Sequence, residues 1–79
     1  MEDYDHLEHM EEQISRNIDN LWELNRLKEK SLTDEEEKTR LRRALVCRRQ
    51  LMNLEENCQA EMYIELAHRC TQAMEDISQ

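Results

Sequence analysis

The stretch that decides the fold runs from Thr33 to Ile77: TDEEEKTRLRRALVCRRQLMNLEENCQAEMYIELAHRCTQAMEDI. It contains neither Gly nor Pro, and an apolar residue returns every third or fourth place, the period of a helix with one buried face. The pattern predicts one long helix over about 34–77, with Leu41, Ala44, Leu45, Leu51, Met52, Cys58, Met62, Leu66, Cys70, Ala73 and Ile77 on its buried stripe. A break near Asn53 is the rival, because Asn53 with Glu56 three residues on could cap a new helix.

Upstream, Leu7, Met10, Ile14, Ile18, Leu21 and Leu24 keep the same spacing and predict a shorter helix over about 5–30. Glu2, Asp3, Asp5 and Glu8 crowd its first turns and Arg26, Lys28 and Lys30 its last, as the helix dipole favours. Trp22, at the edge of the stripe, is expected to pack across the helix interface; its other role would be that of a partner-binding anchor. Between the helices, Thr33 and Glu36 stand in the spacing of a capping box, so a new helix starts there. So short a connection makes the helices antiparallel neighbours. The expected fold is therefore all-α, an antiparallel helical hairpin forming a single domain over residues 1–79.

The two helices differ in length. At 1.5 Å per residue the first is about 39 Å long and the second about 66 Å, so the first reaches only to about residue 60. Met62, Leu66, Cys70, Ala73 and Ile77 are then left uncovered, and each large apolar side chain there gains about 1.5–3 kcal/mol on burial. They are expected to form an oligomer interface, giving a homodimer whose hairpins assemble into a helical bundle or coiled coil. Arg48 and Glu55 fall inside the stripe. With Asn17 facing Arg48, they are expected to form a buried polar layer that sets register.

Composition narrows the class. The 79 residues are 38% charged and 38% hydrophobic with no Phe, as in solvated helices rather than a thick globular core. Three cysteines spaced along one helix cannot pair within it, so Cys47, Cys58 and Cys70 read as reduced thiols. With no signal peptide and no apolar span, the chain is expected to be cytoplasmic and not a membrane protein.

The net charge of −8 conceals a split of −7 over residues 1–25, +4 over 26–49 and −5 over 50–79. Six bases lie between Lys38 and Arg49. Of these, Lys38, Arg42, Arg43 and Arg49 are the candidate anion- or partner-binding residues, since guanidinium forks suit phosphate and carboxylate. The competing reading is a solvated face neutralised by nearby acids. The aromatics and Gly-rich loops of familiar nucleic-acid modules are missing.

Two metal-ligand fragments, His6-x-x-His9 and Glu61 with Glu65-x-x-His68, are read as surface residues, so no metal or other cofactor is expected. His68 and Cys70 point to different sides of a helix, which leaves no catalytic pair. The expected function is that of a small non-enzymatic regulatory or adaptor protein, such as an inhibitor of viral or mobile-element origin, that binds an unidentified protein partner. The alternative is an anion-binding module taking RNA or a nucleotide on the arginine island.

Overall fold

The computed structural model describes residues 2–77, with side chains described from Asp5 onward, so the expectations placed on Glu2 and Asp3 lie outside the described side chains. The chain is all-helical. Helix α1 spans Glu2–Arg26 and runs into a 3₁₀ turn at Leu27–Glu29; α2 spans Asp34–Ala60; α3 spans Ile64–Asp76. The predicted single helix over 34–77 is thus two helices. The break lies at Glu61–Tyr63 rather than near Asn53, which sits inside α2.

The start of α2 follows its sequence signature. Thr33 Oγ1 accepts from the Glu36 amide at 3.2 Å, and the Glu36 carboxylate accepts from the Thr33 amide at 2.9 Å, closing the capping box. The end of α2 has a different origin. The Tyr63 amide donates to the Cys58 carbonyl at 2.7 Å, and the Met62 amide donates to the Gln59 carbonyl at 3.2 Å. That pair of bonds is a Schellman motif, and it places Met62 in the left-handed region at φ 66°. Glycine ordinarily takes this place. Here a methionine does, with its side chain 76% exposed. Tyr63 then packs against the core cluster that contains Cys58, supplying the apolar contact that accompanies the motif.

The reversal sends α3 back along α2. Arg48 of α2 meets the Met74 end of α3, while His6 of α1 meets Glu61 and Ser15 meets Arg69. Helices α1 and α2 are therefore antiparallel, and α3 runs antiparallel to α2 and parallel to α1. The result is an up-down-up bundle, 48 × 20 × 15 Å, whose third helix covers only the half nearest the chain reversal.

One core joins the three helices: Met10, Ile14 and Leu21 from α1, Ala44, Cys47, Leu51, Leu54 and Cys58 from α2, and Leu66, Ala67, Cys70 and Ala73 from α3, closed by Ile77. Two sequence expectations change with it. Leu66, Cys70, Ala73 and Ile77, expected at an oligomer interface, are buried by the chain's own helices; of that group only Met62 stays exposed. The buried line of α2 is also rotated from the expected one. It runs through Arg40, Ala44, Cys47, Leu51, Leu54 and Cys58, leaving Leu41, Leu45 and Met52 at 41%, 49% and 52% exposure. The rotation follows from α2 having two neighbours, α1 and α3, so its buried line bisects them instead of facing one.

Candidate functional site

The arginine island resolves into two kinds of residue. Arg40 and Arg48 hold the fold. Arg40 is only 4% exposed; its Nε and Nη2 donate to Glu37 Oε1 at 2.7 and 2.5 Å, and its Nη1 donates to the Leu24 carbonyl at 3.4 Å near the end of α1. Arg48 donates through Nη1 to the Met74 carbonyl at 3.0 Å and through Nη2 to the Ile77 carbonyl. Both guanidinium groups thus sit at helix C-termini, where carbonyls without intrahelical partners and the negative end of the dipole favour a cation.

The expected polar layer of Asn17, Arg48 and Glu55 does not come together. Asn17 donates to the Gln13 carbonyl of its own helix, Glu55 accepts from Gln59, and Arg48 faces α3. The antiparallel register, in which His6 meets Glu61 and Leu24 meets Arg40, does bring Asn17 level with about Arg48; the two miss each other because Arg48 turns toward α3 and Asn17 toward its own helix.

The remaining bases face outward. Lys38 lies 3.9 Å from Glu35, an exposed pair that contributes little. Arg42, Arg43 and Arg49 are exposed and form no ion pair among the described residues. At 100° per residue, Lys38, Arg42 and Arg49 lie within about 40° of one another on the side of α2 away from the core. Leu45 and Met52 adjoin them on one side and Val46, 53% exposed, on the other. A helix carrying large apolar side chains on its solvent face as well as in its core has more to bury than its own chain covers. Trp22, expected to pack between helices, is 40% exposed on α1.

Beside this face a hollow of about 650 Å³ opens between α1 and α2. Leu24, Leu27, Val46 and Cys47 supply its apolar lining, while Arg42, Arg43 and Glu23 supply its charges. Glu23 already accepts from Arg26 at 2.7 Å.

The metal-ligand fragments meet in part: His6 Nε2 and Glu61 Oε2 are 2.7 Å apart, and His9 pairs with Gln13. Among the described residues no group of three His, Cys, Asp or Glu side chains is placed to hold a metal ion. All three cysteines are free and buried. Burial pushes the Cys47 thiol up; Cys58 is raised by burial and then by the Glu61 charge; Cys70 is pushed up to about 11, chiefly by burial and then by Cys58 and Glu55. Such thiols are poor nucleophiles. No helix among the described residues is long and apolar enough to cross a membrane.

Sequence reasoning missed the hollow and the exposure of Val46. The available signal was the apolar run Ala44-Leu45-Val46-Cys47, which cannot all face one side of a helix. No protein-family model matches the chain, and neither a curated protein nor a solved structure is detectably similar to it.

Proposed function

We propose that the chain is a small non-enzymatic regulatory or adaptor protein that works by binding another protein through the outward face of α2. One observation carries this reading: Leu41, Leu45, Val46 and Met52 are 41–53% exposed on a helix whose opposite side is already fully used in the core. Apolar side chains interleaved with unpaired arginines have the character of an interface core with a polar rim. Self-association through Leu66, Cys70, Ala73 and Ile77 is not part of the reading, because α1 and α2 cover those side chains.

The second reading, an anion-binding module for RNA or a phosphorylated small ligand, is favoured by Arg42, Arg43 and Arg49 standing without ion-pair partners. The two are separated by recovering the tagged chain from its native host beside a Leu45→Glu/Met52→Glu variant. Protein binding predicts one co-purifying protein that the variant loses while its helical circular dichroism and melting temperature stay unchanged. Co-purifying nucleic acid, released by raising salt from about 50 to 200 mM and unaffected by the variant, would favour the anion-binding reading instead.

A further inference from the structure

On the flank of the α1/α2 pair away from α3, three hollows join end to end. The central one shares Leu24, Leu27 and Arg43 with a hollow toward the turn, and Asn20 and Gln50 with another toward the chain reversal. Their α2 lining runs from Glu35 to Asn57, about 33 Å of helix axis. That is the length of about six helical turns, and the flank stands in the same relation to α1 and α2 as the one that α3 partly fills.

Charge selects the occupant. Five bases, Arg16, Lys30, Arg40, Arg42 and Arg43, line the three hollows against three acids, Glu23, Glu35 and Glu36, and Glu23 is itself paired with Arg26 at 2.7 Å. Arg42 and Arg43 have no such partner among the described residues. The groove therefore offers an aliphatic floor and an unanswered positive wall. Its lining holds no aromatic ring on which a nucleic-acid base could stack. A second copy of this chain does not supply the complement either. Its acidic helix, α1, has Met10 and Ile14 buried in its own core and Leu7 packed against it, so no free apolar stripe accompanies the acids.

Resting on the protein-binding reading, we propose that this groove receives an acidic amphipathic helix from a partner protein. The helix lays its apolar face on Leu24, Leu27 and Val46 and sets carboxylates against Arg42 and Arg43, a helix-in-groove mode. It lies antiparallel or parallel to α2 and completes a three-helix cross-section in the half of the molecule that α3 does not reach, and a four-helix one beside α3.

The test uses the whole chain, labelled with ¹⁵N, and two helical peptides of about 22 residues, matched to the groove length. Both carry Leu on one face; one carries Glu on the flanks and its twin carries Lys. The acidic peptide is expected to shift the amide resonances of Leu24, Leu27, Arg43 and Val46, and to bind at least about tenfold more tightly than its twin. Arg42→Glu/Arg43→Glu is expected to reverse that preference without altering helical content. Equal affinity for the two peptides, no binding of either at millimolar concentration, or tighter binding of a single-stranded RNA at the same resonances would overturn the inference. Shifts centred on Leu41, Leu45 and Met52 would also overturn it while leaving the protein-binding reading intact. If the host experiment yields only nucleic acid, that reading falls and this one with it.

Discussion

Arg48, midway along α2, donates a hydrogen bond of 3.0 Å to the carbonyl oxygen of Met74 in the last turn of α3. A side chain whose sequence position suggested a register-setting layer instead closes the end of a helix 26 residues away. Charge-assisted bonds to carbonyls otherwise short of partners are worth about 1.5–3 kcal/mol.

Arg48→Met keeps the aliphatic stem and removes the donors, so the loss should fall on α3. The expected outcome is a destabilisation of about 1.5 kcal/mol, with hydrogen exchange accelerated first at amides from Cys70 to Asp76. Uniform acceleration across all three helices would show that Arg48 does not act at that end.

Met62→Gly should stabilise the chain. A left-handed non-glycine residue costs about 1–2 kcal/mol, and the added freedom of glycine in the unfolded chain returns about 0.5–1 kcal/mol of that. Urea unfolding is expected to give a net gain of up to about 1 kcal/mol, with little burial lost because the methionine is 76% exposed. Met62→Ile should destabilise, since a β-branched residue fits φ 66° worse.

The arginines should separate into two classes by melting temperature. Arg40→Ala removes a buried guanidinium that bonds Glu37 and Leu24, and should cost about 2–4 kcal/mol. Arg42→Glu/Arg43→Glu touches only exposed residues and should change stability by less than about 1 kcal/mol. Similar melting temperatures for the two variants would contradict the division.

The cysteines set an alkaline limit. The folded Cys70 thiol is raised from an ordinary value of 9.0 to about 11, so folding favours the protonated form. Its contribution is fully present below about pH 9 and is lost as pH rises through about 11. Chemical denaturation between these limits should show stability falling, and Cys70→Ala should flatten that fall. At pH 8 the native thiols should resist a disulfide reagent and react only once the chain is unfolded.

Much of this fold is legible from residue spacing. The α1 stripe through Met10, Ile14 and Leu21 is buried as its period requires, and Thr33 with Glu36 marks the start of α2 by a mechanism that short-range chemistry determines. The end of α2 is another matter. A Schellman turn without glycine leaves no composition signal, because its bonds are made by backbone amides and its φ of 66° is borne by an ordinary methionine. The mismatch in helix lengths was a sound cue with two solutions, pairing with another chain or folding back, and spacing alone does not choose between them. The candidate site was legible as a charge cluster, but not in its division. Whether an arginine faces a helix end, as Arg40 and Arg48 do, or solvent, as Arg42 and Arg49 do, depends on where the neighbouring helices stop.

Everything about the exposed face of α2 depends on α3 folding back at Met62, and small-angle X-ray scattering of the purified chain tests that directly. The folded-back chain should scatter as a particle of monomer mass, with a radius of gyration a little above the 14.1 Å of its Cα atoms and a longest dimension that exceeds the 48 Å spanned by its backbone only by side chains and hydration. An unbroken helix from Asp34 to Ile77 would extend about 66 Å; a longest dimension of that size, or a particle of dimer mass at micromolar concentration, would contradict it.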